Sequence, residues 1–230
     1  MAAFSFSIVA VTLFFRRQPG VAGALVPLPM LRHRVFTACL AVATAMTFGA
    51  YAMLFLTPLY LQTARGASAL QAAVALLPMS LSFIVTSQLS GPIANKLGPR
   101  VPMTTGMALM GLGLLMLALI PLNDSLALIE TALLAIGCGL GLNAGPMNAV
   151  AVANVPATRS GTASGLINTA RMVGATLGVA VLGAVFANAT QDAGTQGLAS
   201  AYLGGGIGEL IGAAMAFAFI RRDSLHPPTD

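Results

Sequence analysis

Six apolar runs, at about residues 36–62, 69–94, 101–122, 125–153, 161–187 and 201–220, set what this chain can fold into. As a helix, each is of the length that crosses a hydrocarbon core of roughly 30 Å. Lipid offers no partner to an open backbone amide, so runs of this length must satisfy their hydrogen bonds internally, as helices do. Only 7% of the 230 residues are charged, against about a quarter in a typical soluble domain. Those charges fall in the short stretches between runs. The pattern excludes a water-soluble globule and predicts an all-α membrane protein, a six-helix transmembrane bundle.

The net charge of +5 does not indicate a nucleic-acid partner, because the cations stand singly or in pairs at the ends of runs and form no basic face. Alternating the crossings places Arg16, Arg17, Arg32, Arg34, Lys96, Arg100, Arg159, Arg221 and Arg222 on one side and Arg65 alone on the other. By the positive-inside bias the first side is cytoplasmic, with both ends of the bundle there and Asp124 and Asp192 outside. Three crossings in each half then fit a 3+3 inverted repeat.

Ahead of the bundle, Ala2 to Phe15 is apolar but rises only about 21 Å as a helix, a partial span. Residues 16–34, with their prolines and flanking cations, read as an interfacial linker. The expected divisions are 1–35 for the partial helix and linker, 36–220 for the bundle and 221–230 for a cytoplasmic tail.

Catalytic and metal chemistry find no constellation in the sequence. His33 and His226 fall outside the crossings, no pair of intramembrane aspartates exists, and no phosphate-binding loop follows a strand. Cys39 and Cys138 lie in apolar runs, as buried thiols do. No cofactor, no metal and no enzymatic activity are expected.

Glycine recurs every four residues at Gly137, Gly141 and Gly145, at Gly204, Gly208 and Gly212, and at Gly174 and Gly178. Such strips let helix backbones approach closely in lipid, where packing takes over from the hydrophobic drive. The stretch "GPIANKLGPR" sets Gly91 and Gly98 around Asn95, Lys96 and Arg100, and reads as a tight basic turn between closely spaced helices.

This turn resembles the short-loop signature of the major facilitator superfamily, with Asn95 where that signature has an aspartate. The segment "NVPATRSGTASGLINTARMVGATLGVAVLGAV", residues 154–185, is similar to the loop and eleventh core helix of fourteen-helix drug:proton antiporters. With "PLPMLRHRVF" and "GLGLNAGPMNAVAVANVP", the likeness extends over essentially the whole chain, yet over only the carboxyl-terminal half of such a transporter. The resemblance implies half of a major facilitator fold, the positions Arg159, Asn168 and Arg171 as counterparts of family residues, and a substrate path between two six-helix bundles. The family's first-helix acid and its proline-glycine antiporter motif have no counterpart here.

Arg171 and Glu209 are the charges set deep in their runs, each 11 residues from the cytoplasmic end by count, or roughly 16 Å. A lone charge at midplane costs about 2.5–3.5 kcal/mol on insertion scales. Three readings stay open for Arg171: snorkelling toward the 154–160 loop, pairing with Glu209, or lining a substrate or proton pathway. Glu209 is the candidate proton-exchanging acid, Asn168 a further polar group of the path, and Met46, Met53, Met79 and Met147 read either as core or lipid-facing side chains or as an adaptable lining for lipophilic cations. The expected function is membrane transport, export of lipophilic or cationic compounds by alternating access from an inner membrane. The expected partners are the bilayer, a drug-like molecule, and an amino-terminal transporter half or a second copy. The alternative is a membrane-embedded accessory subunit without transport of its own.

Overall fold

The computed structural model describes residues 28–119, 126–189 and 194–225. Residues 2–15, most of the linker, Asp124, Asp192 and His226 lie outside them. Among the described residues the regular elements are helices: α1 (Leu28–Arg32), α2 (Arg34–Arg65), α3 (Ala69–Ala75), α4 (Leu77–Leu97), α5 (Arg100–Leu119), α6 (Leu126–Ala153), α7 (Ser160–Ala189) and α8 (Gly194–Phe219). Six helical stretches are long and apolar enough to cross a membrane, and they coincide with the six runs of the sequence. The second of them is α3 and α4 together. It is interrupted at Leu76, because Pro78 in the first turn of α4 has no amide to continue the ladder.

Local chemistry sets the ends. Helix α2 stops at Gly66, whose φ of 63° is left-handed and whose amide bonds back to the Leu61 carbonyl. Ser68 and Gln71 then form a reciprocal capping box that starts α3 two residues later. Between α4 and α5 the turn is narrower than the sequence suggests. Gly91 lies within α4, which continues through Pro92 to Leu97, so only Gly98 serves the turn, with a φ of 82°.

The strongest pairings are α4 with α6, α2 with α7, α5 with α6, α2 with α8, and α5 with α8. Exchanging the first three spans for the last three maps this set onto itself. Since each half has an odd number of crossings, equivalent helices run in opposite directions, as an inverted repeat requires. Helices α2 and α5 are the most buried spans, while α4 and α7 are the least buried.

Two apolar clusters fill the bundle. One, around Phe36, Met46, Met107 and Met147, lies toward the arginine-rich end; the other, around Met53, Leu114, Ile136 and Tyr202, lies toward the opposite end. Met46, Met53, Met79 and Met147 are all buried in these clusters. Of the two readings open for them, burial favours core: flexible thioethers fill gaps between helices here.

Candidate functional site

The glycine strips act on different partners. A Cβ on Gly137 would strike the Met79 carbonyl and the Ser82 hydroxyl, and one on Gly141 would come within 2.8 Å of the Phe83 carbonyl oxygen. Gly145 is looser, 3.0 Å from the Ser90 hydroxyl. This strip presses α6 onto the backbone of α4. Gly174 and Gly178 do the same for α7, against the carbonyls of Thr44 and Phe48 on α2. Gly204, Gly208 and Gly212 meet side chains instead, those of Leu182, Phe48 and Met107.

The closest approaches of α8 and α5 involve glycines outside those strips. Gly111 faces the Gly206 carbonyl, with 3.1 Å left to a Cβ, and Gly106 faces the Gly139 carbonyl, with 2.7 Å. Gly205 sets a Cβ position 3.3 Å from the Cα of Gly49. On α5, Gly113 meets the Ala132 carbonyl seven residues on from Gly106, so none of these contacts falls in a four-residue repeat. Gly49 is the lone glycine in the 32 residues of α2, and that isolation is the signal a reader of the sequence could use.

Two of these crossings hold a buried polar side chain one turn from a glycine. At the α5–α6 crossing Asn143 is fully buried; its Nδ2 donates to the Gly139 carbonyl at 3.0 Å, while its Oδ1 has no partner. At the α2–α8 crossing Glu209 is fully buried. Its Oε1 lies 2.8 Å from the Cβ position of Gly49, with Leu114 closing the other side. The carboxyl rests beside the backbone of Gly49 and Ala50, yet neither oxygen has a partner at hydrogen-bonding geometry.

Arg171 is half-buried on α7, and the hydroxyls of Thr47 and Thr44 on α2 fix its turn. Thr47 donates to the Arg171 carbonyl at 2.6 Å, and Thr44 to the Ala170 carbonyl at 3.2 Å. Arg171 Nε has no hydrogen-bond partner, and no ion pair joins it to Glu209. The depth count places both charges correctly: one is level with Thr47 and the other with Gly49, about 3 Å apart along α2. Two residues also turn a helix by about 200°, so α2 presents these positions on opposite faces. Of the three readings open for Arg171, the pairing with Glu209 is not made in this arrangement. Asn168, one turn before Arg171, is exposed.

At the arginine-rich end, Gly98 packs on the tail after α8: a Cβ there would fall 2.8 Å from the Arg222 carbonyl oxygen. Asn95, Lys96 and Gly98 line a cleft with Arg222 and Asp223. Arg100 leaves that turn to stack its guanidinium 3.9 Å from the ring centroid of Phe217, a cation–π contact. Asn154 donates to the Ser224 carbonyl at 2.7 Å, tying the end of α6 to the same tail. Glu130, near the opposite end, is exposed. Among the described residues no group of three metal-ligating side chains comes together.

Comparison with known proteins bears on this bundle. The family model for the Major Facilitator Superfamily matches residues 1–179. The multidrug resistance protein Stp of Mycobacterium tuberculosis is 34% identical over 179 residues, 78% of this chain and 33% of its own. The multidrug efflux pump LfrA of Mycolicibacterium smegmatis is 30% identical over 185 residues, 80% of this chain and 37% of its own. The tetracenomycin C resistance and export protein of Streptomyces glaucescens is 30% identical over 186 residues, 81% of this chain and 35% of its own. The chain thus matches about a third of the length of these relatives.

Proposed function

Because this chain belongs to the major facilitator superfamily and is a multi-pass membrane protein, we propose that it is the carboxyl-terminal half of a proton-coupled multidrug efflux transporter. It exports lipophilic or cationic compounds by alternating access from the cell's inner membrane, its arginine-rich end in the cytoplasm. The observation that carries the reading is the uneven burial of the bundle. Helices α4 and α7, equivalent under the repeat, are its least covered spans. Leu81, Ile84, Val85 and Leu89 on α4, and Met172, Val173, Leu177 and Val181 on α7, are all roughly half exposed. A second bundle seated across these helices encloses a path that one bundle leaves open. Relatives bearing names of multidrug resistance and export supply the substrate class.

Within this reading Glu209 is the proton-exchanging group of the half. It is the one carboxyl fully buried among the described residues, and its oxygens have no protein donor. Arg171 and Asn168 lie on α7, one of the helices toward the second bundle. The test is resistance and dye efflux in drug-sensitive cells carrying this chain alone, or together with an amino-terminal half from a relative. Efflux that requires both halves and collapses when the proton gradient is dissipated supports the proposal. Insertion of both halves with no efflux points instead to an accessory subunit.

A further inference from the structure

We propose that the arginine-rich end of the bundle carries a binding site for an anionic phospholipid, with a headgroup pocket and an acyl-chain groove side by side. The pocket is a cleft of about 450 Å³ between the start of α2 and the end of α8, lined by Arg32, His33, Arg34 and Arg221 with Phe219. All four polar side chains are exposed, and no acid is among the lining residues. Asp223, the acid closest in sequence, lines a different cleft with Lys96 and Arg222. Three guanidinium groups converging without a carboxylate form a receptor for a phosphate, which they bind through paired charge-assisted hydrogen bonds.

The backbone contributes to the same pocket. Helix α2 begins at Arg34, and its cap residue His33 makes no side-chain hydrogen bond to the first turn. The first two residues of this 32-residue helix, Arg34 and Val35, line the cleft, which brings the positive end of the helix dipole to it.

A second cleft of about 290 Å³ adjoins the first, sharing Arg32, Arg34 and Phe219 and continuing along Leu31, Thr37 and Met215. Its walls run down the first turns of α2 and the last turns of α8, both membrane-crossing helices. A phosphate held by the arginines at the boundary thus stands directly above a mainly apolar channel entering the hydrocarbon region. That sequence of cationic pocket and apolar groove matches an amphiphile with an anionic head. A free phosphate uses only the first part, and a neutral lipid only the second.

The test is native mass spectrometry of the full chain released from detergent with phosphatidylglycerol or phosphatidylcholine of identical acyl chains. Phosphatidylglycerol retention is expected to exceed phosphatidylcholine retention, and to fall about tenfold or more in Arg34→Gln/Arg221→Gln, since each cation near a lipid surface contributes about 1 kcal/mol. Lys96→Gln removes a charge from the same end outside the pocket, and is expected to leave retention near that of the parent. Circular dichroism confirms that each variant keeps its helices, so lost binding is read on folded protein. Equal retention of the two lipids, or an equal loss in Lys96→Gln, would overturn the site. Displacement of phosphatidylglycerol by millimolar inorganic phosphate would overturn the groove and leave only a phosphate pocket.

Discussion

Arg171 and Glu209 stand at one level of the bundle on opposite faces of α2, the first through its carbonyl on Thr47 and the second with its carboxyl against Gly49. The helix between them accounts for the missing ion pair. A double-mutant cycle with Arg171→Gln and Glu209→Gln, read as thermal stability in detergent, is therefore expected to be additive within about 0.5 kcal/mol. A coupling well above 1 kcal/mol would show that the two charges meet, contrary to this arrangement.

Thr47 and Thr44 bond the α7 backbone across the helix interface. Thr47→Val keeps the shape and removes the donor, and is expected to cost about 0.5–1.5 kcal/mol, as interhelical hydrogen bonds in membranes do. Unchanged stability of Thr47→Val and of the Thr44→Val/Thr47→Val pair would mean that glycine packing alone holds α7.

Two glycines of the basic stretch should respond with opposite sign. A Cβ on Gly91 meets nothing within 4 Å and the residue is mid-helix, so Gly91→Ala is expected to stabilise by about 0.5–1 kcal/mol. Gly98 has positive φ and the Arg222 carbonyl at its Cβ position. Gly98→Ala is expected to destabilise by about 1–3 kcal/mol. Melting temperatures shifting in the same direction for both would contradict the placement of the turn at Gly98 alone.

The close contacts of α7 and α6 are expected to be intolerant of bulk. Gly178→Leu and Gly141→Leu force a side chain into backbone of α2 or α4, while Gly165→Leu enters open space. Yield of monodisperse protein after detergent extraction should fall sharply for the first two and stay near the parent for the third.

Most of the fold is legible in the sequence because lipid imposes a simple rule, long apolar helices with charges at their ends. The strips at Gly137/Gly141/Gly145 and Gly174/Gly178 are legible for a related reason: a repeat of four keeps small residues on one helix face. Crossings such as Gly111 with Gly206 and Gly49 with Gly205 pair single glycines, and α5 meets α6 again only seven residues on, at Gly113 and Ala132, so no four-residue period records them. Counting residues gives the depth of Arg171 and Glu209 but not the direction in which each faces, which depends on α2 passing between them. The methionines leave two readings open for the converse reason. Their chemistry suits a flexible binding surface and a core equally well, and only burial separates the two.

The proposal of a half transporter is most directly tested in proteoliposomes holding this chain, an amino-terminal half of a relative, or both, with an imposed proton gradient and a lipophilic cationic dye. Gradient-driven dye movement only when both halves are present, and its loss with Glu209→Gln in a complex that still assembles, is the predicted result. Gradient-driven movement by this chain alone would contradict the two-bundle path. Full activity of the Glu209→Gln complex would contradict the role of that carboxyl.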